Sequence, residues 1–266
     1  MSGGIESARL KVARAMKIRG AAAEAIESYM ASQPYEVVTD ANGGETVRIT
    51  KAPPPEIAVI AGEVLYQVRS ALDHAFFDLV ERNHAGATLP RDWERRSQFP
   101  LLIKIPEKFK GDPPVPRQYF DKTLDALTDR AFDYIESVQP YRLRDDNVSQ
   151  WLRLLAKLSN IDKHRRLSTT VTRINRKEEL VTAEGYTITS LSLPLADGAE
   201  LRPAWHPPGV VTADAKRTRY LTPTIVFDEP DVGPPLTAPI ENILYKLPTM
   251  MFGWMLPNLH NLLERP

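Results

Sequence analysis

Pro53-Pro-Pro-Glu-Ile-Ala-Val-Ile-Ala-Gly-Glu-Val-Leu-Tyr-Gln-Val-Arg-Ser-Ala-Leu-Asp-His-Ala-Phe-Phe-Asp-Leu-Val-Glu-Arg82 is the stretch whose reading decides the fold. Three successive prolines fix φ and end whatever precedes them. After them, Ile57, Ala61, Val64, Val68, Ala71, Ala75 and Leu79 recur every three or four residues. That period predicts an amphipathic helix over about 56–82 with its stripe on a core. At about 100° per residue, Glu63, Tyr66, Gln67, Arg69, Ser70, Asp73, His74 and Asp78 gather on roughly half the circumference. Arg69 with Asp73, and His74 with Asp78, are i,i+4 pairs. Phe77 projects from the middle of this polar arc, so another element is expected to cover part of it, and covered charges must be paired.

Upstream, Ile5, Val12, Met16, Ala23, Ile26 and Met30 predict a first helix, which Pro34 ends. Tyr35-Glu-Val-Val-Thr39 and Thr46-Val-Arg-Ile-Thr50 flank Asp40-Ala-Asn-Gly-Gly44, the pattern of a β-hairpin. Downstream, 84–117 is irregular and holds Phe99-Pro-Leu-Leu-Ile103. Helices are then expected at about 119–138, on Phe120, Leu124, Leu127, Ala131 and Ile135, and at about 148–164. Asp145-Asp146-Asn147 offers N-cap chemistry for the second of these. From Leu167 the period changes to two, predicting strands at 167–174, 180–184, 186–193 and 220–227. A last helix starts near Pro239, with breaks or kinks at Pro248 and Pro257. The order implies an α+β fold: a bundle of about four or five helices with a β-rich C-terminal half packed against it, in one domain. The helical part is about 1–166, with a small hairpin at 35–50; the β-rich part is about 167–228 and the C-terminal helix about 239–264.

Composition narrows the function classes. At 42% hydrophobic and 26% charged residues the chain is an ordinary globular mix, which excludes global disorder. Equal totals of 34 basic and 34 acidic residues give no support for wholesale binding to nucleic acid or membrane. Zero cysteines exclude disulfides, thiolate metal sites and cysteine nucleophiles, and fit a reducing, cytoplasmic setting. The start lacks the apolar core of a signal peptide. Leu247 to Leu263 has no Asp, Glu, Lys or Arg, but it is short and carries two prolines, so it reads as a helix docked on the core rather than a membrane span. No phosphate-cradling glycine loop, dinucleotide fingerprint, nucleophile elbow or dense His/Glu metal motif is present, so no cofactor and no metal are expected.

The candidate residues lie in two segments. One is Arg69, Asp73 and His74. The other is Asn160-Ile-Asp-Lys-His-Arg-Arg166, where the row Val148, Trp151, Leu155, Leu158 leads to Asp162. An acid at the end of a core-facing row wants a partner, which Arg69, His74 or His164 could supply. Lys163, His164, Arg165 and Arg166 suit the negative end of a helix dipole. From Arg142 to Lys177 ten basic side chains face three acidic ones, enough to meet a phosphate backbone, so RNA is an expected partner there.

Val68-Arg-Ser-Ala-Leu-Asp-His74, Phe99-Pro100, Gln139-Pro-Tyr141 and Asn160-Ile-Asp-Lys-His-Arg165 together resemble a family of uncharacterised bacterial proteins, through about Leu167. That resemblance bears on fold and brings no activity. Arg69-Ser-Ala-Leu-Asp-His74 also resembles the R-x4-H signature of HEPN domains, helical bundles that often act as metal-independent ribonucleases. The HEPN likeness implies a toxin or defence enzyme that cleaves RNA with help from its own 2′-hydroxyl. His74 would move protons, Arg69 would stabilise charge on phosphate, and Asp73 would orient. A second copy would complete the site, so a homodimer is expected. The competing expectation is a non-catalytic binding protein in which Arg69, Asp73, Asp162 and His164 form a buried structural network. The enzyme needs His74 open in a cleft; the network needs it enclosed.

Overall fold

A computed structural model describes residues 3–83, 91–105, 120, 122–142, 147–164, 167–181, 187–195, 197–201, 216–229 and 238–264. The fold is α+β. The chain divides into two compact units, one formed by Met1–Ala22, Ala58–Leu167 and Glu229–Pro266, the other by Ala23–Ile57 and Ser168–Asp228.

The first unit is helical. It takes in most of α1 (Gly3–Ala31) and α2 (Pro55–Asn83), the short α3 (Trp93–Arg96), α4 (Asp129–Ser137), α5 (Asn147–His164), α6 (Ile240–Met250) and α7 (Leu256–Glu264). All seven stripe residues expected on α2 are buried, and Leu65, Leu72, Phe76 and Val80 widen that face. On α1 the core face within this unit is Ile5, Ala8, Val12, Ala15, Ile18 and Ala22; Ile26 and Tyr29 are buried in the stretch that belongs to the second unit. The expected Ala23 is exposed, because a 3.6 period carried along 29 residues places Ala22 inward instead.

The helix expected at 119–138 is two pieces. A 3₁₀ turn spans Lys122–Ala126, and α4 begins anew after Thr128, whose hydroxyl accepts from the Ala131 N–H at 3.3 Å. The N-cap hydroxyl supplies a partner that a continuous helix would have provided from its backbone. Asp145 and Asp146 lie outside the described residues. At the C-terminal end α6 runs through Pro248, and the irregularity comes later, as a π-helical turn at Met251–Met255. Pro257, second residue of α7, has no N–H and its ring crowds the carbonyl four residues back. The backbone widens there, and Leu256 N–H reaches Met251 O, five residues back. Among the described residues no helix is long and apolar enough to cross a membrane.

The second unit holds two antiparallel sheets. β1 (Tyr35–Thr39) and β2 (Glu45–Ile49) form the expected hairpin. Its turn is built by the Asp40 carboxylate, which accepts from Asn42 and Gly44 N–H, with Gly43 at φ 79°. The other sheet has the order β4-β3-β5, from β3 (Thr169–Val181), β4 (Thr187–Leu195) and β5 (Lys216–Phe227). The strands expected at 167–174 and 180–184 are one continuous strand, β3, which bulges at two places where its register shifts; 182–186 lie outside the described residues. β3 contains no proline, whereas Pro194 and Pro223 sit on the flanking strands, where a missing N–H need not interrupt a second ladder. Val47, Ile174 and Leu201 form the buried cluster of this unit, and Glu45 pairs with Arg219.

Candidate functional site

The polar arc of α2 is covered from about Arg69 onward, as Phe77 implied, and two segments cover it, while Glu63 and Tyr66 stay exposed. The first is 93–103. Phe77 stacks on Trp93, ring centres 5.5 Å apart, and Phe76 meets Phe99 edge to face at 6.0 Å. With Phe99 fully buried, its backbone polar groups need partners, and α2 supplies both. Arg69 Nη2 donates to Phe99 O at 2.7 Å, and Asp73 Oδ1 accepts from Phe99 N–H at 2.9 Å. Arg69 and Asp73 are also 3.0 Å from each other, with side chains only 12% and 24% exposed. A guanidinium one turn before a carboxylate thus clamps both ends of one residue. Burial pushes the Asp73 carboxyl above its usual value; the Arg69 charge, the Phe99 N–H and the Lys163 charge pull the other way.

Gln139 continues the clamp. It is fully buried, its Oε1 accepts from Leu102 N–H at 2.9 Å, and its Nε2 donates to Pro100 O and Ile135 O. Tyr141 N–H donates to Leu102 O at 2.9 Å. Three separate sequence pieces, around Arg69, Phe99 and Gln139, therefore meet in one network that pins an irregular segment to two helices.

The second covering element is the start of α1. A Cβ on Gly4 would lie 2.5 Å from Asp78 Cβ and 2.6 Å from His74 O, so only glycine allows this approach. Asp78 is buried and accepts from Ile5 N–H at 3.1 Å, with Arg82 3.7 Å away. The expected His74–Asp78 pair does not form: Asp78 serves the positive end of the α1 dipole, and His74 Nδ1 shares a hydrogen bond of 2.8 Å with Ser7 Oγ, 67 residues away.

His74 is half-buried and lines a cleft of about 830 Å³ with Gly3, Gly4, Ser7, Phe77 and Arg82, a volume typical of small-molecule sites. Burial and the Lys11 charge lower the His74 pKa, against the pull of Asp73, so the imidazole is neutral near pH 7 and can accept a proton.

The second polar segment is placed differently from expectation. Asp162 is exposed on α5, not at the end of a core row; Leu152, Leu155 and Leu158 carry that row. It lies against α2 at Gly62, where a Cβ would come within 2.6 Å of its Oδ1. A mid-helix glycine costs about 0.5–1 kcal/mol relative to alanine, so its absent side chain is what admits the carboxylate. Asp162 makes no hydrogen bond or ion pair with Arg69, His74, His164 or any other described residue. His164 is exposed, and among the described residues no hydrogen bond or ion pair joins it to the α2 cluster. The five candidate residues thus fall into a clamp (Arg69, Asp73), a cleft residue (His74), and two that stand apart (Asp162, His164).

Of the basic run, Arg142 is bound by Glu136, and Lys177 pairs with Glu179 beside the Tyr220 ring. Arg144, Arg165 and Arg166 lie outside the described residues. Among the described residues no group of three or more His, Asp or Glu side chains is placed to hold a metal ion. Ser7 and Gly4 had no sequence signal, because each acts through a contact remote in the chain, and the Gln139-Pro-Tyr141 stretch gave no hint of the role of Gln139. A glycine inside a strongly periodic helix, as at Gly62, is a sequence signal of close approach that could have pointed to this contact.

Comparison with known proteins finds no match: no family model fits the chain, and no curated protein or solved structure is significantly similar to it.

Proposed function

We propose that the chain is a binding protein in which Arg69 and Asp73 are structural, and that its ligand enters the cleft at His74. One observation carries this reading: the Arg69 guanidinium is engaged by Asp73 and by the Phe99 carbonyl, so it is not offered to a substrate phosphate. A mixed RNA pool incubated with the chain and EDTA tests it. The expected result is no cleavage by the wild type and a lowered melting temperature for Arg69→Ala.

A second reading keeps the metal-independent ribonuclease suggested by R-x4-H, completed by a second copy of the chain and guided by the Arg142–Lys177 segment. The accessible position of His74 on the cleft favours it, with a neutral imidazole suited to general-base work. Cleavage that disappears in a stably folded His74→Ala would establish this second reading and overturn the first.

A further inference from the structure

A second cavity, of about 510 Å³, opens among α1, α2 and α5. We infer that it binds a small organic cation, with the ammonium group seated on Asp162 and the hydrocarbon part along α1 and α2. The inference does not rest on the reading of Arg69 and Asp73.

The seat has three parts. Asp162 supplies a carboxylate with no hydrogen-bond or ion-pair partner among the described residues, held flat on the α2 backbone by the missing Gly62 side chain. Its partial burial against α2 pushes its pKa up, and no charge among the described residues offsets that. Next to it lies an apolar wall: Val59 is 49% exposed, Tyr66 is 58% exposed, and Ile18 closes the α1 side. Gln67 and Glu63 add a carbonyl oxygen and a second carboxylate, both acceptors for N–H donors. A carboxylate without a partner among the described residues, beside exposed apolar surface, suits a molecule with an ammonium head and an alkyl body, since the charge finds a counter-ion while the chain leaves water. An anion would meet two carboxylates instead.

Arg14 is the competing cation. It lines the same cavity from α1, and Lys11 stands 5.9 Å over the Tyr66 ring. Neither contributes to the environment that shifts Asp162.

The test is a titration of the full chain with n-butylammonium, and separately with n-butanol, followed by backbone amide NMR. Saturable shifts at Ile18, Gly62, Tyr66 and Gln67 with n-butylammonium, and much weaker ones with n-butanol, are expected. Asp162→Asn keeps the shape and removes the charge, and should weaken binding about tenfold or more. Gly62→Ala should weaken it by displacing the carboxylate, and Arg14→Ala should leave it unchanged or tighten it. Equal responses to the amine and the alcohol would overturn the inference without reliance on any variant. So would unchanged binding in Asp162→Asn, or binding lost in Arg14→Ala. None of these outcomes touches the cleft at His74, which the RNA assay addresses separately.

Discussion

Replacing Arg69 by alanine removes one end of the clamp on Phe99. Two groups lose their partner: the Phe99 carbonyl, which accepts from Arg69 at 2.7 Å, and the Asp73 carboxylate, 3.0 Å from the guanidinium. Breaking a fully buried ion pair by removing one partner costs about 3–5 kcal/mol. Exposures of 12% and 24% let water relieve part of that, and Asp73 can also take up a proton. About 2–3 kcal/mol remains, or about 5–10 °C in melting temperature for a unit of this size. Asp73→Ala should cost a similar amount, and the double variant less than the two together, with a coupling of about 1–3 kcal/mol. Arg69 reaches both acceptors from the one nitrogen Nη2, so Arg69→Lys should recover only part of the loss, because an ammonium on a more flexible, more strongly hydrated stem is held there less firmly. Because the chain has two compact units, global unfolding need not be two-state. Hydrogen exchange of the Phe99 amide reads the clamp directly: its N–H is donated to Asp73, and its protection should drop in Asp73→Ala. A coupling below about 0.5 kcal/mol, or an unchanged Phe99 exchange rate, would refute the clamp as an energetic unit.

Two further outcomes follow from the same contacts. His74 has a folded-state pKa below its usual 6.5, so as pH falls through that value the unfolded chain takes up a proton before the folded chain does, and stability declines with it. Melting curves between pH 5 and pH 8, both on the order of a unit or two from that value, should show this acid-side loss, and His74→Gln should remove it; identical pH profiles would contradict it. Two glycines of α1 should respond oppositely to alanine. Gly4→Ala meets Asp78 and the His74 carbonyl and should destabilise by about 1–3 kcal/mol. Gly20→Ala meets nothing within 4 Å and should stabilise by about 0.5–1 kcal/mol. A stable Gly4→Ala in thermal unfolding would mean that α1 does not sit this close to α2.

Sequence periodicity was enough to determine the helices and strands whose residues each report on their own environment. The α2 stripe is legible because every seventh-residue neighbourhood repeats the same apolar choice, and the hairpin because Asp40 and Gly43 build their turn from adjacent atoms. Phe77 within the polar arc likewise announced a cover, and the i,i+4 spacing of Arg69 and Asp73 their pairing. Tertiary structure alone decided what each charge was for. Asp78 left His74 for the N–H of Ile5, 73 residues away, and His74 turned to Ser7. Asp162, aligned with a core row by spacing, lies instead in an open groove against Gly62. Helical spacing fixes which residues share a face, but the partner on that face comes from another segment, and the free energy of a polar group depends on that partner and on the water it loses.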